Sequence, residues 1–76
     1  MQLRTKYTNA NVMTMKIIIE DKTDHYWVTL YIAGEIDQFV GAVVARDYRI
    51  EKHDVFLFAS DRECIAAFTA SEVQFQ

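Results

Sequence analysis

The sequence contains no proline, two glycines and a single cysteine among its 76 residues. With so little proline and glycine, the chain favours short, regular connections between secondary-structure elements over long loops. One cysteine excludes an internal disulfide framework and a cysteine-rich metal site, and it favours a reducing location such as the cytoplasm. No apolar run approaches the roughly 20 residues of a membrane span. The first residues also lack the apolar segment of a signal peptide. We therefore expect no membrane association.

Hydrophobic residues make up 51% of the chain and aromatic residues 13%, which is typical of a folded domain rather than a disordered segment. A chain of this length forms one small domain, which we assign to residues 1–76. The net charge is −3, and residues 17–76 carry eleven acids against five bases. An acidic body is poorly suited to neutralising phosphates, so a basic protein partner is favoured over direct nucleic-acid binding.

Period-2 alternation predicts strands along the first half of the chain. Residues 2–7 alternate strictly, so residues 1–11 are read either as an edge strand or as a frayed arm. Strands are predicted from Val12 to Glu20 and from His25 to Ala33, joined by a polar connection of hairpin length at residues 21–24. In the second of these strands, alternate residues place Trp27 and Tyr31 on one face.

Two helices are predicted in the second half. The first rests on apolar residues at helical spacing, which are Ile36, Phe39, Val40, Val43 and Val44. Its three valines and Gly41 lower helix propensity, and residues 40–45 also read as a strand. The second helix follows an apolar strand at residues 55–59 and begins at Ser60, which with Glu63 matches a capping box. It ends at Ser71-Glu72, before a closing strand at residues 73–76.

These elements predict an α+β fold: a single β-sheet of four to five strands with two helices packed on one face, in the order β-β-β-α-β-α-β. Under this interpretation, residues 56–75 form a right-handed strand–helix–strand crossover.

The sequence offers little catalytic chemistry. His25 and His53 each neighbour an aspartate in sequence, but such a neighbour does not by itself orient a catalytic base. Two histidines and Cys64 match no zinc-ligand spacing, and the thiol is read as a small core residue. Phosphate-binding loops and nucleophile elbows are absent. We therefore expect no enzymatic activity, no catalytic residues, no metal and no cofactor.

The candidate site is an aromatic strand flanked by acids. Tyrosine and tryptophan are over-represented at interface hot spots, and a rim of acids steers a basic partner. The predicted partner-binding residues are Glu20, Asp21, Asp24, Tyr26, Trp27, Tyr31, Glu35 and Asp37. Three alternatives stay open: Trp27 belongs to the core, the aromatic strand pairs with a second copy of the chain across a two-fold axis, or the sheet stacks bases of single-stranded RNA.

One resemblance bears on function. The strand at residues 56–58, the acidic segment Asp61-Arg62-Glu63, Phe68 and the final strand at residues 73–75 resemble the last third of many very short phage proteins. In size, acidity and lack of catalytic residues, the chain is similar to small phage-encoded inhibitors of host defence, the anti-CRISPR proteins among them. The resemblance implies an inhibitor that acts in the host cytoplasm by occluding a basic, nucleic-acid-binding surface of a host protein or nucleoprotein. It assigns no role to individual residues.

Overall fold

The computed structural model describes residues 14–76, and this part of the chain is entirely β-structure. The predictions for residues 1–11, and the start of the strand predicted from Val12, lie outside the described residues. Within residues 14–76, six strands form one sheet: β1 (Met15–Asp21), β2 (Tyr26–Ile32), β3 (Gln38–Ala45), β4 (Asp47–Glu51), β5 (Asp54–Ser60) and β6 (Glu63–Phe75). Their order across the sheet is β3-β2-β1-β6-β5-β4. Neighbouring strands are antiparallel, except for β1 and β6, which are parallel.

The predicted α+β class is therefore wrong, since residues 14–76 contain no helix. The same finding means that no helix in the described chain could cross a membrane. The segment of the first predicted helix forms strand β3 instead, in agreement with the alternative interpretation of residues 40–45 as a strand. Its valines are β-branched and favour extended backbone, and Val43 and Ala45 turn inward beside Val28 and Tyr26 of β2.

The second predicted helix is the first part of β6. Ser60 and Glu63 are the closing pair of a hairpin, and Asp61-Arg62 is its two-residue turn. The spacing S-x-x-E is common to a capping box and to the four residues of a β-turn, so the motif alone does not separate them. Ala66, Phe68 and Ala70 then face inward at every second position, as a strand requires. The predicted crossover is likewise replaced by the antiparallel β5–β6 hairpin.

The charged segment at residues 48–53 contains most of β4. Its two-residue hairpin to β5 is Lys52-His53, closed by the pair Glu51 and Asp54. Lys52 has a φ of 57°, a backbone conformation that is unfavourable for residues other than glycine. Positive φ at the first central residue only is the pattern of a type II′ turn, where glycine is preferred.

The predicted hairpin between the first two full strands is confirmed, with β1 and β2 paired from Met15 and Ile32 to Asp21 and Tyr26. Its loop contains Thr23 at a φ of 83°. The backbone N–H of Thr23 donates to the Asp21 carboxylate at 2.9 Å, which helps to hold this conformation.

The sheet curls so that one face encloses the core. Only Arg46 separates β3 from β4, and its backbone N–H donates to the carbonyl oxygen of Phe58 at 2.8 Å, joining the end of β3 to β5. Strand β6 serves both halves of the sheet, pairing with β5 up to Thr69 and with β1 from Ala70 onward. A bulge at Ser71 marks the change. Of the described residues, the inner face buries eight hydrophobic ones: Ile17, Ile19, Val28, Leu30, Ala45, Val55, Leu57 and Ala70.

Candidate protein-binding face

The outer side of β1, β2 and β3 carries large apolar side chains that face solvent. Because successive strand residues point to opposite faces, the neighbours of buried Ile17, Val28 and Leu30 point outward. We use the name outer aromatic face for the residues Ile18, Trp27, Tyr31, Phe39 and Val44. Trp27 is 42% exposed, Val44 52% and Phe39 65%. Exposed apolar residues scattered singly are ordinary on protein surfaces, whereas a contiguous group marks an interaction surface.

Strand register makes this group contiguous. Trp27 of β2 lies opposite Val44 of β3, and Tyr31 lies opposite Phe39. The rings of Tyr31 and Phe39 meet edge to face, with their centroids 5.9 Å apart. Between these two rows lies an uncharged row made of Ile18, Thr29 and Ala42. Apolar side chains therefore extend across three neighbouring strands without a charge in the middle.

Charged residues lie at the two ends of this face. Glu20 is the register partner of Trp27, and Lys16 is the partner of both Tyr31 and Glu72. Several of these charges already have partners. The Lys22 ammonium lies 3.1 Å from the Glu20 carboxylate, and the Lys16 ammonium lies 3.2 Å from Asp37. The hydrogen bond and the charge of Asp37 raise the pKa of Lys16.

The acids predicted as one rim are divided between opposite ends of β2. Asp21 and Asp24 lie at the β1–β2 loop, whereas Glu35 and Asp37 lie in the loop between β2 and β3. Asp24 contacts the His25 ring at 2.6 Å, and this hydrogen bond lowers the pKa of the Asp24 carboxyl. Asp37 also accepts a 3.4 Å hydrogen bond from the Gly34 backbone N–H, which fixes its position in the loop.

Tyr26 does not belong to the outer aromatic face. It points to the inner side with Val28, packs against the core and touches Tyr48. Burial, followed by the nearby Asp21 charge, raises the pKa of the Tyr26 phenol. The predicted set of site residues therefore separates into Glu20, Trp27 and Tyr31 on one face, four acids at its ends, and one inward tyrosine.

The sequence prediction missed Phe39, Val44 and Ile18. The first two were assigned to the apolar stripe of a helix, and Ile18 to the strand predicted from Val12 to Glu20, without a place in the candidate site. The signal that would have found Val44 was the β-branched run at residues 40–45, because a strand there places alternate residues outward. Pairing with Trp27 could not have been read from the sequence, because the register of β2 and β3 includes a shift between Leu30 and Tyr31.

Cys64 lies far from the His25–Asp24 pair. Cys64 lies near the start of β6, eleven positions before Phe75, the partner of Ile19 near the β1–β2 loop. The Asp24 side chain is 83% exposed, so no water-excluding site surrounds the pair. Within residues 14–76, no three of the His, Cys, Asp and Glu side chains cluster in a way that could hold a metal ion.

An open polar cleft lies at the corner between β3 and β4. It is lined by Arg46, Asp47, Ala59, Ser60, Asp61 and Arg62. Two arginines and two aspartates share this cleft, so opposite charges offset each other and neither an anion nor a cation is selected. The outer aromatic face is the stronger candidate for function.

No family model, no curated protein and no solved structure matches the chain.

Proposed function

We propose that the chain is a non-enzymatic protein-binding domain whose outer aromatic face docks on a partner protein. We propose further that it works as an inhibitor, like small phage-encoded proteins, by covering a basic, nucleic-acid-binding surface of a host protein or nucleoprotein in the host cytoplasm. The observation that carries the proposal is the exposed row of Trp27 and Val44 beside the Tyr31–Phe39 pair. Aromatic residues in such a group supply large contact area at low entropic cost.

The charges around the face support a basic partner rather than an acidic one. Glu20 of β1 and Glu72 of the neighbouring β6 lie on the outer side of the sheet, and Glu35 lies exposed in the loop between β2 and β3. Because Lys22 and Lys16 already pair with Glu20 and Asp37, the acids contribute less than their number suggests. Binding energy is therefore assigned mainly to apolar contact, and charge mainly to the rate of association.

Single-stranded RNA is disfavoured on the same observations. A base-stacking sheet is normally surrounded by cations that bind the phosphates. Among the described residues, Lys16 lies at the end of the face and is held by Asp37, and the register partners of Lys16 and Trp27 include Glu72 and Glu20.

Trp27 is the only tryptophan of the chain, so its fluorescence reports directly on the face. A partner is first captured from host lysate, identified and purified, and its association is then followed by Trp27 emission and by surface kinetics. Phe39→Ala should accelerate dissociation by about 30-fold or more if Phe39 is an anchor. Phe56→Ala is the matched control, since Phe56 lies on the outer side of β5, away from the face.

The role of the acidic residues in association requires its own variants. Replacing Asp24 and Glu35 by Lys should slow association and reduce its dependence on salt, with little change in dissociation. The same charge change at Asp61 and Glu63, in the β5–β6 hairpin, is the control. If Phe39→Ala and Phe56→Ala bind the partner equally well, the face is not the docking surface. If an RNA oligonucleotide quenches Trp27 emission at physiological salt, the protein partner is the wrong class of ligand.

A further inference from the structure

The two edges of the described sheet differ in how they are protected. Strand β4 carries a charge at every second position, namely Asp47, Arg49 and Glu51. Charged side chains are a common device by which natural edge strands avoid pairing with other chains. Strand β3, at the opposite edge, has the sequence Gln-Phe-Val-Gly-Ala-Val-Val-Ala and carries no charged residue.

The described strands pair with β3 along one side only, through β2. At the end of β3, the Arg46 N–H turns to Phe58 of β5, so the part of the edge that pairs with no described strand lies before that corner. A row of backbone N–H and C=O groups without ladder partners is a template for a further strand. Strand β2 cannot serve in this way, because β1 and β3 occupy both of its sides.

We propose that β3 pairs antiparallel with β3 of a second copy of the chain, joining two sheets into one across a two-fold axis. An uncharged strand is compatible with itself, since self-pairing places no like charges opposite one another. The same pairing through β4 would set its charged side chains beside one another. A second copy of the chain brings the same uncharged strand, so it meets this condition without any further requirement.

Side-chain alternation restricts the register of this pairing. In a continuous sheet, residues that lie opposite each other on neighbouring strands point to the same face. The two-fold axis must therefore lie where a residue is opposite its own copy, because an axis midway between two residues would pair residues of opposite faces. An axis beside Ala42, near the middle of β3, sets Gly41 of each copy opposite Val43 of the other. Gly41 faces the inner side with open space around it, so the Val43 side chain has room there.

The axis is perpendicular to the joined sheet, as it must be for antiparallel strands related by a two-fold. Both copies consequently present the outer aromatic face on the same side, and neither face is covered by the pairing. Eight residues of one strand form a small interface, below the size of most stable complexes. We expect a dimer that dissociates on dilution.

Sedimentation of the full chain over a range of concentrations tests the proposal. The wild type should shift from monomer to dimer with increasing concentration, whereas Ala42→Lys and Ala42→Glu should each sediment as monomers, because like charges would meet at the axis. A mixture of the two variants should recover the dimer, since Lys then lies opposite Glu. Ala67→Lys is the matched control: Ala67 is also an exposed strand alanine, but β6 is an interior strand of the sheet, so its dimer should persist.

Circular dichroism establishes that every variant is folded before it is compared. A wild type that stays monomeric up to about 1 mM overturns the proposal. In that case, amide exchange at Ala42 and Val44 shows what occupies the β3 edge of the monomer. Slow exchange means that another part of the same chain covers the edge, and rapid exchange means that the edge is open to solvent. A dimer that survives both Ala42 variants also overturns the proposal, because it forms through another surface.

Discussion

The rings of Tyr26 and Tyr48 meet edge to face, with centroids 5.0 Å apart and ring planes at 85°. Tyr26 lies on β2 and Tyr48 on β4, which are not neighbours in the sheet. Their contact therefore crosses the inner side of the curl and connects its two halves. Phe75, at the end of β6, extends the group, with its ring centroid 5.9 Å from that of Tyr48.

Loss of this aromatic contact should weaken the whole domain. We expect Tyr48→Leu to lower the melting temperature by about 5 °C or more, because aromatic packing and buried area are both lost in a small domain. Tyr31→Leu is the control, since Tyr31 lies on the outer side and its aromatic neighbour Phe39 is exposed. Equal melting temperatures for the two variants would mean that the Tyr26–Tyr48 contact does not hold the halves together.

The hairpin between β4 and β5 should be improved by glycine. Lys52→Gly should raise the free energy of unfolding by about 1 kcal/mol, because a lysine at a φ of 57° is strained and glycine is not. His53→Gly, the next residue of the same turn, has no positive φ to relieve and should be slightly destabilising. Urea unfolding of both variants gives the comparison. A Lys52→Gly variant less stable than wild type would show that the turn has another conformation.

Residues 57 and 58 should respond differently to truncation. Leu57 is fully buried, and Leu57→Ala should cost about 2–5 kcal/mol, close to the whole stability of a domain of this size. Phe58 is half-buried on the outer side, where the Arg49 guanidinium carbon lies 5.5 Å from its ring centroid. Phe58→Ala should therefore remain largely folded by circular dichroism. The reverse order would mean that the two faces of β5 have been exchanged.

The contact between Asp24 and His25 predicts an acid-dependent contribution to stability. The folded pKa of Asp24 lies below its ordinary value of 3.8, so the stabilisation is present above that value and is lost as the pH falls through the folded pKa. Asp24→Asn should be less stable than wild type at about pH 5, and the difference should shrink in more acidic solution. Asp61→Asn corrects for the general effect of removing one negative charge. A difference that grows on acidification would contradict this assignment.

The sequence predicted local features better than distant pairings. Alternation at residues 26–32 correctly separated Trp27 and Tyr31 from Val28 and Leu30, because a strand's own side chains define its two faces. The first hairpin was also predicted from local sequence, because its turn residues are adjacent to its two strands. The predicted helices failed where two patterns overlap: the apolar residues from 36 to 44 fit a helical stripe and a β-branched strand equally.

Tertiary context decided those ambiguous segments. The Ser60–Glu63 spacing was interpreted as a helix start, but residues 64–69 are needed as the partner strand of β5. Tertiary context also determines which residues form the candidate site. Trp27 and Tyr31 could be selected from the sequence, whereas Phe39 and Val44 join them only through the register of β3 against β2. That register, with its shift beyond Leu30, depends on the curl of the whole sheet.

The parallel pairing of β1 with β6 has a consequence for how fast the chain folds. Met15 pairs with Ala70 and Ile19 with Phe75, so the partners are about 55 positions apart in the sequence. The large chain-entropy cost of closing this loop must be met before the contacts between the two strands form. Each hairpin alone leaves its inner face open to water, and neither half of the sheet has a complete core until β1 and β6 meet. Folding should consequently take milliseconds to seconds, roughly the range of small all-β domains, with the β1–β6 closure as its slow step.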